Sequence, residues 1–115
     1  MDPIYHIAFA ADWDRAVAVG AYRISTRGAS LEDQGYIHAS QAHQVALVAN
    51  AIYRDARHLV ILTIDPERLR SELRYEKMPD ADDPFPHIYG PLNTDAVVRT
   101  EPFEPDADGT FAFSR

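Results

Sequence analysis

The stretch of sequence that decides the fold is LVILTI, residues Leu59–Ile64. It carries no charge, and four of its six side chains are β-branched, which favours extended backbone. A continuous apolar run of this length is typical of a strand that is covered on both faces. The sequence therefore predicts a central strand here, and the rest of the chain has to supply the elements that cover it.

Upstream of this strand, the pattern predicts another strand and two helices. The run IYHIAF, Ile4–Phe9, has the β-branched and aromatic content of a strand. A short helix is predicted over residues 12–20, with Asp12 as its N-cap and Gly20 as its stop. The strongest helix is predicted over residues 41–53, because its apolar residues recur at helical spacing. Those residues are Ala42, Val45, Val48, Ala49 and Ile52.

Shorter elements are predicted in the rest of the chain. Ser30 caps a single turn of helix that Gly35 ends, and Pro66 opens another turn after the central strand. A turn at Asp108 and Gly109 is predicted to join the last two strands as a hairpin. Extended segments are predicted at residues 36–40, 73–78, 87–92, 96–103 and 110–113.

This order places the helices early and the strands late in the chain. It favours an α+β fold over a doubly wound parallel sheet. A chain of 115 residues can form one real core, so we expect a single domain over residues 1–115.

The composition limits the class of partner. There are 18 acidic and 11 basic side chains, and the formal net charge is −7. Such a chain repels a phosphate backbone, so we expect no bulk binding of nucleic acid. The chain has no cysteine, which fits a reducing compartment. The first residues lack the pattern of a signal peptide, and no window has the ~18 apolar residues of a membrane span, so we expect a cytoplasmic protein.

Three of the five histidines stand in apolar, extended segments. They are His6 in IYHIAF, His38 in GYIHAS and His87 in FPHIYGPLN. Burying an imidazole without a partner costs about 1–3 kcal/mol, so each ring needs a hydrogen bond or a function. Each one alone can be a core histidine with its own partner. Because three occur in similar settings, we predict that the rings converge on one concave surface.

Neighbouring polar side chains extend this candidate site. Residues two apart in a strand share a face, so His38 and Ser40 can present a ring nitrogen and a hydroxyl to one ligand. Tyr89 can stack on a flat ligand and still offer its hydroxyl. Glu76, in LRYEKM, can act as a general base, or it can be a solvent-facing glutamate paired with a cation. The arginines best suited by chemistry to bind a phosphate are Arg23, Arg27 and Arg74.

Other common site types lack their motif in this chain. The sequence contains neither HExxH nor a pair of histidines four residues apart, so we predict no metal centre. It also lacks a G-x-S-x-G elbow and a Walker A loop. The absence of these motifs argues against a zinc protease, an α/β-hydrolase and a P-loop enzyme.

Several segments together resemble a known bacterial family. They are IYHIA near the start, GYIHAS with the helix that follows it, LVILTID, LRYE and FPHIYGPLN. In these motifs the chain is similar to the bacterial domain-of-unknown-function family 952, over nearly its whole length. That family is similar in fold to the ADP-ribosyltransferase superfamily, which includes toxins, poly-ADP-ribose polymerases and RNA 2′-phosphotransferases. The resemblance implies a split, curved β-sheet core with short helices and a cleft for NAD or an ADP-ribosylated intermediate.

The resemblance also implies roles for the candidate residues. His6 corresponds to a first-strand histidine that bonds the ribose of NAD. His38, together with Ser40, corresponds to a later strand beside the nicotinamide. Glu76 is the candidate to stand in for the catalytic glutamate of that superfamily, with His38 as the other catalytic candidate, although no characteristic glutamate motif surrounds Glu76.

Three functions follow from these observations. The favoured one is binding of a nucleotide-like small ligand, of the NAD or ADP-ribose type, with His87 and Tyr89 closing the pocket. The second is an enzyme of ADP-ribosyl or phosphoribosyl transfer, in which NAD would be the cofactor or substrate. The third is a structural or partner-binding protein without a ligand, in which each histidine has its own separate hydrogen-bond partner.

Overall fold

In the computed structural model, the LVILTI run forms strand β6, Leu59–Ile64, at the centre of a three-stranded antiparallel sheet. Strand β1, Ile4–Phe9, pairs along one edge of β6, and strand β10, Val97–Phe103, pairs along the other. Four of the six residues of β6 are buried. The prediction of a central strand is confirmed, and so are the bounds of the first strand.

The structure describes residues 2–79 and 81–115. The remaining strands are β2 Ala21–Tyr22, β3 Ile24–Thr26, β4 Ala29–Ser30, β5 Ile37–His38, β7 Glu72–Glu76, β8 Phe85–Tyr89 and β9 Leu92–Asn93. The α-helices are α1 Ala10–Val19, α2 Leu31–Gln34 and α3 Val45–Ile52, and 3₁₀ turns lie at Ala42–Gln44, Pro66–Arg68 and Thr94–Ala96. A second three-stranded sheet has the order β5-β8-β7, and β2 with β9 and β3 with β4 form two-stranded sheets.

Every strand pair among the described residues is antiparallel, and the helices are few and short. The predicted α+β class is therefore confirmed. None of the helices in the described part of the chain is long and apolar enough to cross a membrane.

The first sheet separates two hydrophobic cores. Alternate residues of a strand point to opposite faces, so Ile4 and Ala8 of β1 pack in one core while Tyr5 and Ile7 pack in the other. His6 shares its face with Ile4 and Ala8. The alternation therefore turns its imidazole into the first core, where it has to find polar partners.

A backbone bridge brings the second sheet next to His6. The amide of Tyr5 donates to the carbonyl of Ser40 at 2.9 Å, and the amide of Ser40 donates back at 2.7 Å. Ser40 follows β5 closely, so the bridge places His38 beside His6. In the same sheet, His38 of β5 lies directly opposite His87 of β8. The strand pairing thus gathers the three histidines.

Two of the predicted helices begin differently from the prediction. Helix α1 starts at Ala10, directly after the extended Phe9, and Asp12 forms an ion pair with Arg15 instead of capping the helix. The predicted helix over residues 41–53 opens as a 3₁₀ turn and becomes α-helical only at Val45. Its stripe is only partly buried, because Ile52 is 39% exposed. The turn capped by Ser30 is as predicted, with a capping box that includes Asp33.

The predicted C-terminal hairpin is wrong. The turn near Gly109 exists, but residues 110–113 form no strand. Phe111 instead donates its amide to the side chain of Asn50 at 2.8 Å and accepts from the same side chain at 3.0 Å. Its ring is buried in the second core. An amide side chain on α3 therefore takes the place of the partner strand.

Gly90→Ala is expected to lower the free energy of unfolding by about 2–3 kcal/mol. Gly90 has a φ of +150°, and an added Cβ would lie 2.9 Å from Cβ of Ser71. The matched control is Gly20→Ala, where φ is +88° and nothing lies within 4 Å of the added atom. There we expect the backbone penalty alone, about 1 kcal/mol. Equal losses for the two variants in urea unfolding would contradict the steric argument.

Candidate functional site

The structure joins the three histidines and Glu76 through a run of short contacts. Nδ1 of His6 lies 2.6 Å from the carbonyl oxygen of His38. Nδ1 of His38 lies 3.3 Å from Nε2 of His87, and Nδ1 of His87 lies 2.7 Å from the carboxylate of Glu76. The three histidines therefore belong to one chain of contacts, in which His6 reaches the backbone carbonyl of His38, while His6 and His38 line a common small cavity that His87 does not line.

His6 is the inner end of this chain. It is 3% exposed, and burial lowers the pKa of His6 to about 4, so the ring is neutral at pH 7. A carbonyl oxygen can only accept, so Nδ1 of His6 donates to His38 and Nε2 accepts from the hydroxyl of Tyr22 at 2.9 Å. Both ring nitrogens are occupied. In this conformation His6 positions Tyr22 and strand β5.

His87 and Glu76 form the outer end of the chain. His87 is 1% exposed, and its ring stacks on Tyr36 with 4.0 Å between the centroids. The carboxylate of Glu76 accepts from the hydroxyl of Tyr89 and from Nδ1 of His87. These two bonds hold the pKa of Glu76 below its usual range, so it is ionised at neutral pH. The guanidinium of Arg74 lies 4.5 Å from the centroid of the Tyr89 ring.

His38 connects the two ends. Burial, followed by the positive charges that His87 and His6 can carry, lowers the pKa of His38 to about 4. Its ring lines a small cavity of about 10 Å³ together with Thr26 and Ser40. That volume holds about one water molecule. His38 and Ser40 thus line the same small space.

A larger cleft lies beside the histidines. It has a volume of about 370 Å³, at the lower end of the range for small-molecule sites. Tyr22, which bonds His6, lines this cleft. Ile7 and Tyr53 line both the cleft and the small cavity at His38. Two tyrosine rings therefore stand between the cleft and the histidine chain.

The three arginines that the sequence suggested for phosphate are all bound to carboxylates. Arg23 donates to Glu32 at 3.0 Å, and Arg74 donates to Glu72. Only Arg27 lines the cleft, where its guanidinium donates to Asp55 at 2.6 Å and to the carbonyl of Ile52 at 2.8 Å. The pair of Arg27 and Asp55 is exposed to solvent, so replacing Asp55 by another anion as the partner of Arg27 costs little free energy.

The sequence-predicted residues fall into two groups. His6, His38 and Ser40 lie next to the cleft and the small cavity. His87, Tyr89 and Glu76 lie at the outer end, and among the side chains that the structure describes the contact between His38 and His87 joins the two groups.

Sequence reasoning missed three of the four tyrosines described at the site, Tyr22, Tyr36 and Tyr53. Tyr36 shares a strand face with His38 in GYIHAS, and that spacing is a signal for its place beside the histidines. Tyr22 and Tyr53 are brought in by elements distant in sequence, and no local pattern marks them.

The chain of histidines also has the spacing of metal ligands. Two nitrogens at opposite ends of a tetrahedral edge around zinc lie about 3.3 Å apart, since each Zn–N bond is about 2.0 Å. Nδ1 of His38 and Nε2 of His87 have that separation. However, the described residues contain no group of three or more His, Asp or Glu side chains that could hold a metal ion. We therefore treat the contact as a hydrogen bond.

Comparison with known proteins places the chain among relatives without an assigned activity. A family model described as "Protein of unknown function (DUF952)" matches residues 7–100. The crystal structure of protein CC0527 from Caulobacter crescentus is 33% identical, with a TM-score of 0.84 over 96% of this chain and 93% of that one. The solution structure of CC0527 is 34% identical, with a TM-score of 0.79 over 96% and 91%. No curated protein matches the chain.

Proposed function

Because the chain belongs to the DUF952 family of proteins of unknown function, we propose a function from its geometry: it binds a nucleotide-like small ligand of the NAD or ADP-ribose type. The ligand enters the 370 Å³ cleft and reaches the histidine chain past Tyr22 and Tyr53. The single observation that carries the proposal is that three histidines from three strands form one chain beside this cleft.

The lining of the cleft supports a ligand with an aromatic base and hydroxyl groups. Tyr22 and Tyr53 line the cleft, and the hydroxyl of Tyr22, which donates to His6, can still accept one hydrogen bond from a ligand. Arg27 supplies a cation for a phosphate or pyrophosphate group at the rim. The volume suits one nucleoside-sized part of the ligand, so the remainder of an ADP-ribose molecule lies outside the cleft.

The arrangement of the two larger sheets supports a relationship in fold to the ADP-ribosyltransferase superfamily. Two antiparallel three-stranded sheets, joined by the bridge between Tyr5 and Ser40, are what a split β-sheet core requires. On this basis we propose a distant relationship to the ADP-ribosyltransferase superfamily, in which the cleft beside β1 corresponds to the nucleotide site.

A thermal-shift titration with NAD and ADP-ribose tests the binding function. At a thousandfold excess over Kd, a ligand that binds only the folded state adds about 4 kcal/mol, which raises Tm by many degrees in a domain of this size. Arg27→Gln is expected to need about tenfold more ligand for the same rise in Tm, because a charge-assisted hydrogen bond is worth about 1.5 kcal/mol or more. No shift with either ligand at millimolar concentration would contradict the proposal.

The matched control is Arg70→Gln. Arg70 is also exposed and paired with a carboxylate, Asp95 at 3.1 Å, but it does not line the cleft. This variant is expected to respond to both ligands like the wild type. An equal loss in Arg27→Gln and Arg70→Gln would place any binding elsewhere on the surface.

A second candidate function is transfer of an ADP-ribosyl or phosphoribosyl group, and the place of Glu76 at the partly exposed outer end of the histidine chain favours it. A carboxylate held in its charged form can stabilise a cation that develops at a ribose carbon. His38 would then be the second catalytic residue. Release of nicotinamide from NAD, lost in Glu76→Gln, would support transfer, whereas binding without release supports the ligand-binding function alone.

A further inference from the structure

The hydrogen-bond chain fixes which nitrogen of each ring carries a proton. The carboxylate of Glu76 only accepts, so Nδ1 of His87, at 2.7 Å, carries a hydrogen. A neutral His87 whose hydrogen is on Nδ1 has a lone pair on Nε2, which can accept from Nδ1 of His38 at 3.3 Å. A neutral His38 whose proton is on Nδ1 has none on Nε2.

We infer that Glu76, acting through His87, sets the tautomer of His38 and so makes Nε2 of His38 an acceptor for a hydrogen-bond donor on the ligand. The inference rests on the proposed ligand-binding function and names the chemistry that this part of the site recognises. A hydroxyl or an amide N–H complements a lone pair, whereas a fully ionised phosphate oxygen repels it. Glu76 is a positioning residue in this arrangement, because it touches His87 and Tyr89 and acts on His38 only through His87.

Nε2 of His38 is available for this role. It has no hydrogen bond to any residue that the structure describes, and the side chain is half-buried, not sealed. The ring also lines the small cavity beside Ser40, where a single water molecule fits. A ligand hydroxyl can replace such a water with the same bond to Nε2.

The surroundings prevent His87 from turning its ring. Tyr36 stacks on one face with an interplanar angle of 18°, and the backbones of His38 and His87 are paired across β5 and β8. Glu76 is itself fixed by the hydroxyl of Tyr89. The tautomer of His87 is therefore imposed by a carboxylate that is held in place, which is how an outer partner commonly orients a functional histidine.

The test is an NMR measurement of the ring nitrogens in ¹⁵N-labelled protein without ligand at neutral pH. We expect His38 and His87 each to show protonated Nδ1 and unprotonated Nε2. In Glu76→Ala the carboxylate is missing, so both rings are expected to become mixtures of tautomers. Glu76→Gln keeps an oxygen that can accept from His87 and is expected to restore the wild-type pattern.

The matched control is Glu72→Ala. Glu72 lies on the same strand, β7, but pairs with Arg74, so this variant is expected to leave the ring signals of both histidines unchanged. Backbone amide spectra report whether each variant is folded. A proton on Nε2 of His38 in the wild type, a doubly protonated His87, or an unchanged pattern in folded Glu76→Ala would each overturn the inference.

Inorganic phosphate is the probe for the chemistry at Nε2. Millimolar phosphate is expected to leave the ring signals of His38 unchanged. A phosphate-dependent shift to a doubly protonated ring would overturn the assignment of Nε2 as an acceptor for a donor on the ligand. The tautomers are measured without any nucleotide. A failure of NAD or ADP-ribose to bind is thus distinguishable from a failure of the tautomer assignment.

Discussion

Lowering the pH from 7 to 5 is expected to reduce the free energy of unfolding by about 4 kcal/mol. His6 and His38 have pKa values of about 4 in the folded protein, chiefly because both are buried. In the unfolded chain a histidine titrates near pH 6.5. Between these values the unfolded state binds more protons, so stability falls as the pH falls. Each ring contributes roughly 2 kcal/mol over this interval.

Urea unfolding at pH 7, 6 and 5 measures this effect. Carboxylates with lowered pKa values, such as Glu76, lose their contribution only below the ordinary carboxyl range, so the interval isolates the histidines. His38→Gln removes one titrating ring and is expected to halve the slope. A free energy of unfolding that is constant from pH 7 to 5 would rule out the buried, neutral histidines described above.

His6→Ala is expected to cost about 4 kcal/mol at pH 7, a large share of the 5–15 kcal/mol that stabilises a typical domain. The substitution removes a buried ring and leaves a cavity. It also leaves the hydroxyl of Tyr22 and the carbonyl of His38 without their partner. Each unpaired buried group adds about 1–3 kcal/mol to the cost of the cavity.

Two variants separate these contributions. Tyr22→Phe removes only the hydroxyl that His6 accepts from, and we expect a loss of about 1–2 kcal/mol. His43→Ala changes a histidine of the same size at the surface, paired with Asp83, and is expected to cost less than about 1 kcal/mol. If His6→Ala were no more destabilising than His43→Ala in urea unfolding, His6 would not be part of the internal chain.

The parts of the fold that the sequence predicts best are those that local patterns determine. LVILTI becomes the central strand because no polar residue in it needs solvent, and Ser30 caps its helix because Asp33 completes the capping box three residues later. The start of α1 departs from prediction because the backbone of β1 runs straight into it, which leaves Asp12 free to pair with Arg15. The predicted strand at Phe111 fails because Asn50, distant in sequence, provides its hydrogen bonds.

In the candidate site, too, local patterns predict some features and long-range contacts determine the others. The setting of His6, His38 and His87 in apolar segments predicts that they are buried and bonded, and the structure joins them. The order in which they bond depends on the register of β5 against β8 and on the bridge from Tyr5 to Ser40. Neither is visible in a single sequence. The place of Tyr22 and Tyr53 between cleft and histidines depends on the same long-range packing.

A titration of ¹⁵N-labelled protein with ADP-ribose, with the ring signals of all five histidines recorded, tests most directly whether a ligand reaches the histidine chain. The ring of His38 is expected to shift progressively and saturate. The signals of His43 and His58, which are exposed and line neither the cleft nor the small cavity, are expected to stay in place. Unchanged His38 signals at millimolar ADP-ribose, or equal small shifts of all five rings, would contradict the account.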